Sequence, residues 1–272
     1  MTDWEKLLTS ASSEVQRACE SVRSKGERAQ EVGTGASGDE TLVADREAEK
    51  VIMDSLLSVD GVRVLSEEAG EVGPKSSKFL AIVDPVDGSS NFSRGIPFYC
   101  TSICLVEGAR LRDARFALVR NLVSGDVYYA EKGKGAFKNG RRLQPSTKTE
   151  LAESIAAVDV SKAKPVVIDA LGPLSSKLGR QVHFGANALE ICMVADGEVD
   201  SFVDLRGRMR VTDVAGAYLV AREAGAVVTS ETGTELDPAL DLGSRLSVVA
   251  SANATLHQKV LKELGPFRER RP

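Results

Sequence analysis

Acidic residues supply the chemistry this sequence can offer. The segment Asp84-Pro85-Val86-Asp87-Gly88-Ser89-Ser90-Asn91-Phe92 follows the apolar run FLAIV at 79–83. Two carboxylates three residues apart converge on one point if the chain turns between them, and Pro85 favours a turn by presetting φ. A turned backbone also offers the Val86 carbonyl. Two carboxylates and a carbonyl form a ligand set for a hard cation such as Mg²⁺. Gly88 has no Cβ, so its N–H can approach an anion closely. Ser89 can cap a following helix, and helix N-termini bind phosphate. An acidic turn with a serine N-cap is the plainer alternative.

Other acids join this set. Glu67-Glu68 follow the strand-like VRVLS, and Asp213 opens the apolar stretch DVAGAYLVAREAG. An N-cap role alone would account for Asp213. Asp45 lies among charges, and taken singly it reads as a solvated residue.

The rest of the composition narrows the classes. The chain has 272 residues, with 39 acidic and 35 Lys or Arg side chains and a formal net charge of −4. That balance argues against nucleic acid or a polybasic membrane contact. Only His183 and His257 occur, so a His-rich zinc site is not expected and carboxylates must do any metal work. Cys19, Cys100, Cys104 and Cys192 lie in apolar stretches without a CxxC, which reads as buried reduced thiols. There is no signal-peptide pattern at the start and no run of 18 apolar residues, so the expectation is a cytoplasmic protein.

These acids need a scaffold. Trp4, Leu7, Leu8, Ala11, Val15, Ala18, Cys19 and Val22 recur at helical spacing, predicting a first helix that ends near Gly26. A polar glycine-rich loop spans about 31–40, and 43–57 reads as a second helix. Strands are expected at 62–66, 79–84, 99–106, 114–119 and 126–131, separated by Gly, Pro and Asn and paired mainly antiparallel. The polar segment 138–150 marks a boundary between a first domain, 1–140, and a second, 141–272. The second half alternates: SIAAVDV, DSFVDL and LSVVAS as strands, ANALEICMVADG and DVAGAYLVAREAG as helices, then a C-terminal helix. Alternation suggests an α/β layer.

Two motif matches mislead. GTGASG at 33–38 fits G-x-G-x-x-G, yet it follows the polar ERAQEV rather than a buried strand. Cys104 to Arg110 fits C-x₅-R, yet Glu107 sits inside it and Cys104 lies within an apolar strand.

At the acidic residues the sequence resembles the inositol monophosphatase family over nearly its whole length. Glu67-Glu68 resembles the family's acidic pair, DPVDGSSNF its D-P-[IVL]-D-G-[TS]-x-N-F signature, and DVAGAYLVAREAG its C-terminal motif. The likeness is closest to the archaeal branch that acts on both inositol monophosphate and fructose 1,6-bisphosphate. It implies an α/β fold in a layered αβαβα sandwich, usually dimeric. It implies that Glu67, Asp84, the Val86 carbonyl, Asp87 and Asp213 bind two or three Mg²⁺. It also implies that Asp87, Gly88 and Ser89 meet the phosphate, and that Asp45, Glu67 and Ser89 position the attacking water, with no phosphoenzyme. Ser89 replaces the commoner Thr and keeps the hydroxyl; Thr212 stands where a Trp is usual.

Substrate choice is expected within 204–213. The resemblance places Arg206 where animal inositol enzymes carry Glu, with Arg208 and Arg210 nearby. Arginine suits bidentate phosphate binding, which favours a second phosphate on the substrate. Asp204 can accept hydroxyls instead, and Asn187 matches a substrate-facing turn. The implied partner is a small sugar phosphate. Two other readings stay open: a 3′-phosphoadenosine 5′-phosphate phosphatase, and a catalytically silent sugar-phosphate-binding regulator.

Overall fold

The computed structural model describes residues 3–38 and 40–264; Asp39 in the glycine-rich loop falls outside them. The first half runs α1 (Trp4–Ser24), β1 (Glu31–Thr34), β2 (Glu40–Leu42), α2 (Val43–Leu57), β3 (Val62–Ser66), β4 (Gly70–Val72), β5 (Phe79–Asp87), α3 (Ser89–Arg94), β6 (Cys100–Val106), β7 (Ala114–Asn121), β8 (Val127–Glu131), β9 (Gly135–Lys138) and β10 (Arg141–Arg142). The second half runs β11 (Ile155–Asp159), α4 (Pro165–Ser175), β12 (Arg180–Val182), α5 (Asn187–Asp196), β13 (Ser201–Met209), α6 (Val211–Ala224), β14 (Val227–Thr229), β15 (Leu246–Ser251) and α7 (Ala254–Glu263).

Two sheets organise these elements. An eight-stranded sheet has the order β10-β9-β8-β7-β6-β5-β3-β4, and a five-stranded sheet the order β12-β11-β13-β15-β14. The large sheet is antiparallel except where β3 runs parallel to β5. In the small sheet β11 runs parallel to β12 and β13, while β15 is antiparallel to β13 and β14.

Alternation along the strands builds the layers. On β5, Ala81 and Val83 face α1 and α2, whereas Leu80 and Ile82 face the core around α5 and α6. On β13, Phe202 faces that same middle core, while Val203 and Leu205 face α4 and α7. The order is helix pair, large sheet, α5 and α6, small sheet, helix pair: the αβαβα sandwich that the family resemblance implies. Helix α6 lies between two sheets and is buried almost all round, as its near-continuous apolar sequence requires. Gly216 lets it approach β6, since a Cβ there would collide with Ser102 Oγ.

Several local readings change. The glycine-rich segment is held in the β1–β2 hairpin. Helix α4 was not apparent because Gly172 and Pro173 lie inside it, although Pro165 at its first turn is a valid start signal. The short strands β4, β9, β10, β12 and β14 carry too few residues to show a period.

Candidate functional site

The DPVD segment does not turn; it stays in β5 and bulges. Asp84 pairs with Ser102 and Asp87 with Cys100, so three steps along β5 oppose two along β6. In a regular strand, residues three apart point to opposite faces. The extra residue at Pro85-Val86 resets that phase, so both carboxylates reach one cleft. Pro85 fits here because a bulge leaves an N–H outside the ladder. Val86 is buried on the same strand.

Three further elements meet this strand. Glu67 follows the end of β3. Asp45 and Asp213 each occupy the third position of a helix, α2 and α6, rather than the N-cap. Asp45 Oδ2 accepts the Leu42 N–H at 2.9 Å, and Asp213 Oδ2 accepts the Arg210 N–H at 2.8 Å. Each carboxylate thereby serves its own helix start and stays at the positive end of the dipole. Asp45 is 4% exposed, so the solvated reading of it is corrected. One oxygen each from Glu67, Asp84 and Asp213 lies within 4.8 Å of the other two.

Crowding these acids in a buried cleft disfavours their charged forms. Burial, then the nearby Asp213, raises Glu67 to about 8. Asp87 rises to about 7, again by burial and then Asp213. Asp45 rises to about 7, mainly by burial. Burial together with the charges of Glu67, Asp87, Asp213 and Asp45 raises Asp84 well above the carboxylate range. Arg210 offsets part of this, its Nη1 donating to Glu67 Oε1 at 2.6 Å. Hard oxygen donors, close convergence and excess negative charge fit a divalent cation of the Mg²⁺ kind.

Next to the acids the chain makes a sharp turn. Gly88 is the N-cap of α3 with φ +91°, and a Cβ there would press on Phe98 O, Ala186 Cβ and Gly185 O at 3.1–3.2 Å. A residue with a side chain would be both strained and crowded. Ser89 is thus the first helical residue, not the cap. Asn91 braces the turn, its Nδ2 donating to Phe98 O at 2.8 Å and Phe184 O at 2.6 Å.

The sugar-side candidates separate. Asn187 starts α5 beside the acids, where the Ala188 N–H donates to Asp87 Oδ2 at 2.7 Å. The buried Asn187 Oδ1 has no hydrogen-bond partner among the described residues. Arg206 is not free in the cleft. Its Nε and Nη2 bond Asp204 at 3.0 and 2.6 Å, and it also pairs with Asp159. Asp204, fully buried, is correspondingly occupied. Arg208 is exposed.

Some neighbours escaped the sequence reading. Ser37 in the glycine-rich segment donates its N–H to Glu67 O at 3.0 Å, and a Cβ at Gly35 would strike the Glu68 carboxylate. Cys100 faces Asp87, Sγ to Oδ2 3.5 Å. Only the strand register reveals that contact. All four cysteines are free and buried. The C-x₅-R match dissolves: Arg110 pairs with Asp237, and Cys104 is sealed within β6.

Known proteins share the family and the fold of this chain. The model of the "Inositol monophosphatase family" matches residues 3–266. The fructose-1,6-bisphosphatase/inositol-1-monophosphatase of Archaeoglobus fulgidus is 37% identical over 252 residues, covering 92% of this chain and 93% of that protein. The bifunctional NADP phosphatase/NAD kinase of Methanococcus maripaludis is 33% identical over 86% of this chain, which spans only 44% of that longer protein. A solved Pyrococcus horikoshii protein with similarities to inositol-1 monophosphatase superposes with a TM-score of 0.81 at 29% identity, over 96% of this chain and 97% of that one. Among the described residues, no helix is long and apolar enough to cross a membrane.

Proposed function

The chain belongs to the inositol monophosphatase family, and from this premise we propose that it is a Mg²⁺-dependent phosphomonoester hydrolase acting on inositol monophosphate, fructose 1,6-bisphosphate or both. The observation that carries the reading is the convergence of Glu67, Asp84 and Asp213 beside the Gly88 turn. Glu67, Asp84, Asp87, Asp213 and the Val86 carbonyl hold the metal, two or three ions per site. Bound Mg²⁺ supplies Lewis acidity, activating water and offsetting charge on the phosphoryl group and the leaving oxygen.

The chain's own groups do the rest. The Gly88 and Ser89 N–H groups hold the phosphate. Asp45 and Glu67 orient the attacking water together with the Ser89 hydroxyl, and a carboxylate takes its proton. The new P–O bond forms as the ester P–O bond breaks in line, and the departing sugar oxygen gains a proton. Asn187 and Arg208 serve the sugar side directly, while Asp204 and Arg206, bonded to each other, hold the segment that carries Arg208. Because Asp204 and Asp159 engage Arg206, the exposed Arg208 is the more available cation for a second phosphate.

The same reading keeps the division near residue 140, with 1–140 carrying most acids and 141–272 completing the site. It takes a homodimer, supported by the exposed Ile96 and Phe184 beside Phe98. It also takes a cytoplasmic setting, supported by the four free cysteines.

Phosphate release from inositol monophosphate, fructose 1,6-bisphosphate, NADP and 3′-phosphoadenosine 5′-phosphate, with Mg²⁺ and with excess EDTA, tests the proposal. Full activity in EDTA rules it out. Strong preference for a nucleotide moves the substrate to the NADP-phosphatase or phosphoadenosine class. Mg²⁺ binding without turnover of any ester identifies a silent regulator.

A further inference from the structure

A second group of buried acids lies behind the sugar side. Glu190 on α5 is fully buried, and its Oε1 accepts the N–H groups of Phe184 and Gly185 at 2.8 and 2.7 Å. That carboxylate therefore holds the segment whose Gly185 carbonyl abuts Gly88. Asp159 at the end of β11 pairs with Arg206, and its Oδ1 accepts the Ser161 N–H at 2.7 Å. His183 stands between these two acids, with Nδ1 3.2 Å from Glu190 Oε1 and Nε2 3.4 Å from Asp159 Oδ1. Its Nε2 also lies 3.4 Å from Ser161 Oγ.

Arg206 by itself leaves this group short of positive charge, and a protonated ring reduces the shortage. Glu190, Asp159 and Asp204 are buried, and among the described residues Arg206 is the fixed positive charge that pairs with two of them. Buried acids need compensation, and an imidazolium bridging two of them provides it. The groups facing the ring are Glu190 from α5, Asp159 from β11 and Arg206 from β13; the first two favour its proton and the third opposes it.

We propose that His183 is a positioning residue whose protonated ring ties the phosphate-side segment, through Glu190, to the Arg206 specificity segment, through Asp159. The inference rests on the phosphatase reading for its kinetic consequence, not for its geometry. When the ring loses its proton the tie between the two acids is lost, both segments loosen, and substrate binding weakens while the chemistry at the metal is untouched. Glu190 and burial act in opposite directions on the ring, and the nearby Glu190 carboxylate prevails, holding its pKa above the ordinary histidine value. The switch therefore operates on the alkaline side of that value.

Two measurements test this on tag-free, Mg²⁺-loaded full-length protein. With only two histidines, ring proton resonances follow His183 directly by NMR. The expected ring pKa is above the ordinary value and falls in Asp159→Asn; an ordinary pKa, unmoved in that variant, overturns the proposal. In kinetics with fructose 1,6-bisphosphate and inositol monophosphate, KM rises about fivefold as the ring deprotonates, with kcat level. His183→Arg should keep KM low and flat with pH, and His183→Gln high and flat. A wild-type pH profile of KM in either variant overturns it. If neither ester is turned over, the phosphatase reading fails, while the NMR titration still decides the role of His183.

Discussion

Two buried acid clusters flank the Phe184–Ala188 segment, and they are built on opposite principles. The segment donates N–H groups to both, from Phe184 and Gly185 to Glu190 and from Ala188 to Asp87. Around Glu190, Asp159 and Asp204 the chain supplies its own cations, Arg206 and His183. Around Asp45, Glu67, Asp84, Asp87 and Asp213 it supplies far less, with Arg210 reaching Glu67. The first cluster is offset in large part from within, two cations against three acids, and acts as scaffold. The second is short of positive charge and is built to receive it from outside. Acid content alone does not mark a metal site; the shortage of countercharge does.

The comparison breaks most visibly in activity. Chelation with EDTA, or Asp87→Asn, should reduce phosphate release by about 10³-fold or more, with the circular dichroism spectrum unchanged. Activity that survives both would remove the functional distinction between the clusters. In the scaffold cluster the expected loss is in stability instead. Arg206→Met leaves Asp204 and Asp159 buried without their cation, and should cost about 3 kcal/mol in urea unfolding of the Mg²⁺-loaded protein. A neutral result would mean that water already compensates those acids.

The pH dependence of the metal-free protein is a smaller effect with a definite sign. Folding raises Asp45 and Asp87 from 3.8 to about 7, and Glu67 from 4.5 to about 8. Below about pH 4 both folded and unfolded chains hold these protons, so there is no penalty. Between about pH 4 and pH 8 the unfolded chain has released them and the folded chain has not, so stability falls as pH rises. Calorimetry should show a lower Tm at pH 8 than at pH 5, and added Mg²⁺ should abolish the difference. Asp84→Asn relieves the same crowding and should raise the metal-free Tm at pH 8 by about 2–4 °C. Asp204→Asn should lower it, and identical responses would erase the contrast. The smallest effect is expected at the exposed Arg208. Arg208→Ala should raise KM for fructose 1,6-bisphosphate about threefold, as for one lost surface charge contact, with stability and inositol monophosphate KM unchanged.

Chemistry was more legible in the sequence than geometry. Glu67, Asp84, Asp87 and Asp213 are acids at the edges of apolar runs, and the family-like motifs around them single them out; α1 shows a clear helical period, whereas α6 is apolar nearly all round. The burial of Asp45 was not legible, because its carboxylate turns back to the Leu42 N–H, and only the helix boundary reveals that. Only part of the engagement of Arg206 was hidden by sequence distance: Asp159 comes from another strand, whereas Asp204 stands two residues away. A reading of 204–213 by itself sees three arginines and infers a free anion site. The bulge was hidden for a related reason: Pro85 suggests a turn, and only the pairing with β6 shows that the strand continues.

That bulge makes the site depend on counting rather than on composition. Asp84 and Asp87 share a cleft because β5 carries one residue more than its partner strand between them. Insertion or deletion of a single residue between those acids would leave a pairable strand, and all the acids, yet turn one carboxylate to the opposite face. Substitutions at Val86 that keep a buried apolar side chain are far milder edits than any change of length. The segment can therefore drift in sequence while its spacing stays fixed, and an engineer grafting this site must copy the register of β5 against β6 before copying its acids.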